Sequence, residues 1–372
     1  MPVEIKHDIS EIVTHFELDG RFLDAVPYGS GHINDTYASR FQVGDAVVRY
    51  IHQRVNHNVF RTPDKLMENV ERVTRYAREQ IVAAGGNPDR GTLTLLPTVD
   101  GKFYYVSPEG NYWRTYMFIE GAKTYDQAEE PRMVYNAAKA FGGFQKLLST
   151  LPGGRLHETI PNFHHTRRRF DAFAEALGAD VKNRAASAKA EIDFVLQREA
   201  DTSVLVDMLA QGKLPERVTH NDTKINNVMI DDVTGEGICV IDLDTMMPGS
   251  ALYDFGDSVR TAAALAAEDE LDLGKVGVSL DMFDRLAQGY LDTSRDFLTP
   301  TEIDYMAFSA KLMTFECGVR FLADYLQGDV YFKIHREAHN LDRCRTQWGM
   351  VADMERKMDQ MTAIVDSYRR GS

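Results

Sequence analysis

The chain has 372 residues, 44% of them hydrophobic and 10% aromatic, enough for a sizeable core and for two domains or a single large bilobed one. With 42 Lys and Arg against 56 Asp and Glu the formal net charge is −14, and no long basic stretch is present; this excludes a typical nucleic-acid binder, which concentrates cations to displace counterions. No run approaches the roughly 18 apolar residues of a membrane span. Glu4, Lys6, His7, Asp8 and Glu11 interrupt any signal core, and the three cysteines form no Cys-x-x-Cys pair, so the expectation is a cytoplasmic protein with no membrane, disulfide or structural-zinc dependence.

Short β-rich runs separated by turn chemistry fill the first 119 residues: 26–28, 34–41, 46–53, 93–96, 102–106 and 113–119. One helix interrupts them. Thr62 is placed to cap it, Pro63 suits its first position, and Leu66, Val70, Val73 and Ala77 recur at spacings of four and three, giving an apolar face that omits Glu68 and Glu71. After Glu120-Gly121 the pattern turns helical, with Val134, Ala137, Ala138, Phe141, Phe144 and Leu148 on one face and Gly142-Gly143 allowing close packing. Helical stretches at 166–178, 186–199 and 202–211 precede a short β section over 217–241, and helix signals dominate from Ala251 onward. The expectation is an α+β chain with a small β-rich lobe, 1–119, and a larger mainly helical one, 120–372.

The most informative segment is His220-Asn221-Asp222-Thr223-Lys224-Ile225-Asn226-Asn227, between the strand-like runs 217–219 and 228–230. Phosphoryl transfer must orient an alcohol, neutralise phosphate charge and hold Mg²⁺; an Asp followed five residues later by an Asn supplies a base and a metal ligand from one loop. Lys224 is close enough in sequence to reach the transferring phosphate. Alone, this spacing is also that of a polar turn. The next segment strengthens the chemical reading: a buried-looking strand, 237–241, ends at Asp242-Leu243-Asp244, and a hairpin would let Asp242 serve the same Mg²⁺ as Asn227. Asp254-Phe255-Gly256 spells the metal-binding tripeptide of protein kinases, but it follows Pro248-Gly249 and opens a helix, so Asp254 is expected to anchor the backbone of the catalytic loop.

These residues, with Gly249-Ser250-Ala251-Leu252-Tyr253-Asp254, resemble the aminoglycoside phosphotransferase and choline kinase-like branch of the protein-kinase fold. Within it the chain is similar to the bacterial N-acetylhexosamine 1-kinases, through Tyr28-Gly29-Ser30-Gly31-His32-Ile33-Asn34, Val218-Thr219-His220, Ile241-Asp242-Leu243-Asp244-Thr245, Met247-Pro248-Gly249-Ser250 and the block from Glu316 to Leu326. The resemblance implies a bilobal protein-kinase-like fold. It also implies ATP between a nucleotide-covering N-lobe and a catalytic, substrate-binding C-lobe, with the γ-phosphate passing to the anomeric hydroxyl of an N-acetylhexosamine. Asp222 would be the base and Lys224 would offset charge; Asn227 and Asp242 would hold Mg²⁺; His32, Arg320 and Tyr331 would face the sugar beside Asp222.

For the nucleotide, Gly29 and Gly31 suit a loop over phosphates but lack the third glycine of a full motif. The lysine expected on the next strand is missing. Arg49, Gln53 or Arg54 could replace it, with Glu71 as an orienting partner, and adenine is expected on the backbone over 116–119, Tyr116 and Phe118 among them. Rival readings are a kinase of another small alcohol, a catalytically silent nucleotide-binding protein, and a zinc hydrolase using His335 and His339, which at a spacing of four would share a helical face. His164-His165 with Arg167-Arg168-Arg169 reads as the solvated start of a helix.

Overall fold

A computed structural model describes residues 6–369 apart from Ser30, His32 and Glu129. The fold is α+β. It divides into two compact units, each drawn from several stretches of chain: Met1–Asp126, Thr150–Ile160 and Val228–Met247 form the first, and Gln127–Ser149, Pro161–Asn227 and Pro248–Ser372 the second.

The first unit is built on an antiparallel sheet of strands β1 (Arg21–Pro27), β2 (Asp35–Val43), β3 (Ala46–Val55), β4 (Leu95–Leu96), β5 (Tyr105–Val106) and β6 (Tyr112–Met117), ordered β1-β2-β3-β6-β4 with β5 also on β6. Val43 faces Ala46 across the β2–β3 turn, a two-residue hairpin whose first position, Gly44, has φ +57. On β6 the pleat sends Trp113 and Thr115 to one face and Arg114 and Tyr116 to the other. Trp113 joins Ile9, Ile12, Val13, Phe16, Tyr37, Phe41 and Tyr50 in an apolar cluster. Inside the sheet, His52 bridges the Ser39 and Thr115 hydroxyls at 2.7 and 2.9 Å, and burial depresses its pKa to about 3, so it stays neutral.

Helix α1 (Pro63–Ala83) starts on Pro63 and buries Leu66, Val70, Val73 and Ala77, as the spacing requires. Thr62 does occupy the N-cap, but its side chain makes no capping hydrogen bond; the capping expectation is corrected to the position alone. Buried Asn69 explains why distant chain segments join this unit. Its Nδ2 donates to the carbonyls of His157 and Met246 at 2.8 and 3.1 Å, and its Oδ1 accepts from the His157 N–H at 2.9 Å. A second small sheet pairs Ala122–Lys123 with Val228–Asp231 and that strand with Gly237–Val240, closing a cluster of Ile119, Ala122, Met229 and Cys239.

The second unit is helical: α2 (Pro131–Leu148), α3 (Thr166–Ala179), α4 (Ala251–Ala262), α5 (Leu280–Ser294), α6 (Met306–Gln327) and α7 (His339–Arg369), with shorter turns between. The α2–α5 crossing depends on two glycines. A Cβ on Gly142 would stand 2.5 Å from the Tyr290 carbonyl oxygen and one on Gly289 2.2 Å from that of Tyr135, whereas Gly143 has no neighbour nearer than 3.9 Å. Of the glycine pair read from sequence, Gly142 alone is the contact. Helix α6 is the central element, packing against α3, α4 and α7.

Candidate active site

The catalytic loop lies in the second unit, after the strand Arg217–Thr219. It is hung from α4. Asp254 accepts the backbone N–H groups of His220 and Asn221 at 2.9 and 2.7 Å, Gln145 donates to the same carboxylate, and Thr223 Oγ1 donates to the Asp254 carbonyl at 2.6 Å. One turn along α4, Asp257 accepts the Thr223 N–H at 2.9 Å. The Asp-Phe-Gly tripeptide is therefore the loop's anchor, as its place in the sequence implied. Burial pushes the Asp254 carboxyl up, outweighing the loop groups that pull it down. Asp257 is opposed by burial too, but Arg260, 2.9 Å away, and the charges nearby hold its carboxyl below the ordinary value.

With its stem fixed, the loop brings Asp222, Lys224 and Asn227 together. Lys224 Nζ lies 2.8 Å from Asp222 Oδ1, and Asn227 Nδ2 donates to the Asp222 carbonyl at 2.8 Å and to Oδ2 at 3.2 Å. Burial works against the Lys224 ammonium, but the Asp222 carboxylate overcomes it and the amine pKa is raised. Asp222 is thus a carboxylate flanked by a cation and an amide donor, a geometry that orients it. Because both atoms facing the Asn227 amide are acceptors, its nitrogen is turned to Asp222 and its Oδ1 is the atom presented elsewhere. That oxygen, with the Asp242 carboxylate, is the hard donor type Mg²⁺ requires.

Asp242 belongs to the first unit. The strand Gly237–Val240 pairs antiparallel with Val228–Asp231, Val240 opposite Val228, as the expected hairpin requires. Asp242 then takes φ +58, a left-handed conformation uncommon outside glycine, and leads into the turn Leu243–Thr245. Asp244 in that turn is 3% exposed and paired with Arg114, 1% exposed, whose Nη1 lies 2.5 Å from Oδ1. Gln53 Oε1 accepts from Arg114 Nε and Nη2 at 3.1 and 2.8 Å, and Asn34 Nδ2 donates to Asp244 Oδ2 at 2.6 Å. Burial opposes the Arg114 charge, but Asp244 outweighs it and raises the pKa further. The sequence reading missed Arg114. Its signal was present: a charge inside the apolar run of β6 is tolerated only when paired.

The nucleotide candidates are dispersed over the first unit. Gly29 has φ +80, and a Cβ on it or on Gly31 would meet nothing within 4 Å, so the loop backbone is open. Arg49 stacks on Phe118 at 3.6 Å and forms a two-point ion pair with Glu120. Glu71 pairs with Arg75 along its own helix at 3.1 Å. Tyr116 is buried with its hydroxyl unpartnered, and burial raises its pKa. Of the sugar candidates, His32 lies outside the described residues. Arg320 on α6 sits 5.5, 6.0 and 5.4 Å from the rings of Phe163, Tyr331 and Phe332. Asp324, one turn on, accepts the N–H groups of Val330, Tyr331 and Phe332 at 2.8–2.9 Å, which fixes the Tyr331 loop while its ring stays exposed.

Two sequence expectations are corrected. His335 and His339 do not share a helical face: α7 begins only at His339, Ala338 has φ +57, and His339 is spent on the His335 N–H at 3.2 Å and Asp269 at 3.0 Å. Among the described residues no group of three or more His, Cys, Asp or Glu could hold a metal ion. The zinc hydrolase reading is set aside because His335 and His339 share no helical face and His339 is already engaged. The 164–169 segment starts a helix as expected, α3 opening at Thr166 with Arg168 exposed, but it is solvated only in part. His164 is buried, and Arg169 donates to the Phe163 carbonyl at 3.1 and 2.7 Å, with burial and the nearby Arg320 charge lowering its pKa.

An anchored Asp-x-x-x-x-Asn loop on a helical unit, with an antiparallel-sheet unit beside it in the chain, defines a kinase-like phosphotransferase. The chain belongs to the APH phosphotransferase enzyme family, whose model matches residues 24–287. Solved structures agree on the fold. A microcompartment-associated aminopropanol kinase is similar at 15% identity and TM-score 0.58, over 95% of this chain and 99% of that one. Choline kinase from Cryptosporidium parvum Iowa II aligns at 14% identity and TM-score 0.58, covering 97% and 98%. An aminoglycoside phosphotransferase from Alicyclobacillus acidocaldarius subsp. acidocaldarius DSM 446 aligns at 11% and 0.56, covering 99% and 97%. Among the described residues no helix is long and apolar enough to cross a membrane.

Proposed function

We propose that this protein is a kinase that transfers the ATP γ-phosphate, with Mg²⁺, to the anomeric hydroxyl of an N-acetylhexosamine, giving the sugar 1-phosphate. The observation that carries the phosphoryl-transfer reading is the Asp222 carboxylate held between Lys224 Nζ and Asn227 Nδ2 on a loop anchored by Asp254. Asp222 accepts the proton of the acceptor hydroxyl as its oxygen bonds to the γ-phosphorus and the bond to the β–γ bridging oxygen breaks. Lys224 offsets the charge gathering on the transferring group. Asn227 and Asp242 are the residues assigned to Mg²⁺, which neutralises phosphate charge. Gly29, Gly31, Arg49, Glu71, Tyr116 and Phe118 are assigned to the nucleotide, and His32, Arg320 and Tyr331 to the sugar.

Charge supports this acceptor class over a cationic one. The Arg320 charge helps lower the pKa of Arg169 beside Phe163, and Arg320 faces Tyr331. Two guanidinium groups repel a cationic amino alcohol or aminoglycoside and donate hydrogen bonds to hydroxyl and acetamido oxygens. The test is a panel of N-acetylhexosamines, other sugars and amino alcohols with ATP and Mg²⁺, the phosphorylated position read by NMR. Asp222→Asn is expected to abolish turnover with nucleotide binding retained. Turnover of amino alcohols but no sugar would overturn the acceptor assignment, and unchanged turnover in Asp222→Asn the mechanism.

A further inference from the structure

His164 and Glu316 are 152 residues apart in sequence and meet inside the helical unit, both buried. The imidazole Nδ1 is 2.7 Å from Glu316 Oε1, and Nε2 is 3.0 Å from the backbone carbonyl oxygen of Asn221. Thr166 donates its hydroxyl to the other Glu316 oxygen at 2.6 Å. A carbonyl oxygen can only accept, so Nε2 carries a proton. Burial works against the Glu316 charge, but His164, Arg169 and Thr166 outweigh it and hold the carboxyl below its ordinary value.

The carbonyl that receives this bond is placed where it matters. It belongs to the peptide joining Asn221 to Asp222, and Asn221 is in the left-handed region at φ +66. Asp254 already grips the N–H groups of His220 and Asn221. A carboxylate thus holds the loop by its donors and an imidazole N–H holds it by the next acceptor, which fixes the plane leading into Asp222.

We propose that His164, held by Glu316, is a positioning residue that pins the Asn221–Asp222 peptide plane and so aims the Asp222 carboxylate; the proposal rests on the reading of Asp222 as the base. The groups facing the imidazole are Glu316 on α6, with Arg169 of α3 acting on that carboxylate, and Asp257 and the Tyr253 ring, 5.5 Å away, on α4.

The test uses the full chain. Histidine side-chain ¹⁵N–¹H spectra, with His164 assigned through His164→Phe, are expected to show its Nε2 protonated and slow to exchange; a bare Nε2 overturns the bond to the Asn221 carbonyl. In turnover, His164→Phe is expected to lower kcat about 10- to 100-fold while KM for ATP moves less than about twofold, the size expected when a reacting group is misaimed. Glu316→Gln is expected to keep kcat within about threefold, because Nδ1 can accept a hydrogen bond from the Gln amide while Nε2 still donates. Unchanged kcat in His164→Phe, or equal losses in the two variants, overturns the positioning role. The spectrum needs no turnover, so a failed kinase reading and a failed Nε2 bond give different results.

Discussion

Replacing Arg114 by Met removes a fully buried guanidinium and strands the Asp244 carboxylate with only the Asn34 amide described at its other oxygen. Charges about 4 Å apart at an effective dielectric constant near 20 attract by about 4 kcal/mol, and breaking a buried pair from one side typically costs about 3–5 kcal/mol. Asp244→Asn is expected to cost a similar amount, since Arg114 keeps Gln53 but loses its counter-charge. In the double variant neither charge remains, so its cost falls short of the sum by about 2–3 kcal/mol. The chain carries two tryptophans, Trp113 in the sheet unit and Trp348 in the helical one. Urea unfolding followed by Trp113 fluorescence in a Trp348→Phe background therefore reads the unit that contains the pair. Additive single costs, within about 0.5 kcal/mol, would refute the account of Arg114 as a charge retained for Asp244.

Other outcomes follow from burial and close approach. His52 has a folded pKa near 3 against 6.5 unfolded, so its neutral ring contributes stability that is complete above pH 6.5 and is lost as pH falls toward 3. Between pH 7 and 4.5 it is expected to account for about 2–3 kcal/mol of lost stability, and His52→Gln should flatten urea midpoints over that range. Equal slopes in both proteins would contradict the buried neutral ring. Gly142→Ala is expected to destabilise by about 1–3 kcal/mol through the clash with Tyr290, whereas Gly143→Ala, with room for its methyl, should stabilise by about the 0.5–1 kcal/mol of helix propensity it gains and so raise Tm. Melting curves that rank the two the other way would show that the α2–α5 approach is misread.

Local regularities carried much of this into the sequence. The Pro63 start and the four-three spacing on α1, the short alternating runs of the sheet, and the strand ending before Asp242 all act through neighbours a few residues away. The catalytic loop was legible because Asp222, Lys224 and Asn227 lie within one turn of chain. The rest depends on partners that spacing cannot reveal. Arg114 and Asp244 are 130 residues apart, and a charge inside the apolar run of β6 calls for a partner without saying which carboxylate it is. His164 was read with the basic residues beside it instead of with Glu316. His335 and His339 failed for the opposite reason: a helical repeat was assumed across Ala338, where the backbone turns left-handed.

The grip of Asn69 on His157 and Met246 bears on how the polypeptide is made. A ribosome that has released residues 1–126 has supplied the six-stranded sheet but neither the carbonyls this amide needs nor Met229 and Cys239, which seal the second cluster. The β-rich unit therefore cannot mature vectorially ahead of the rest. It waits, with some of its apolar surface uncovered, until Met247 has emerged, and an expression fragment ending near residue 126 would carry that uncovered surface permanently.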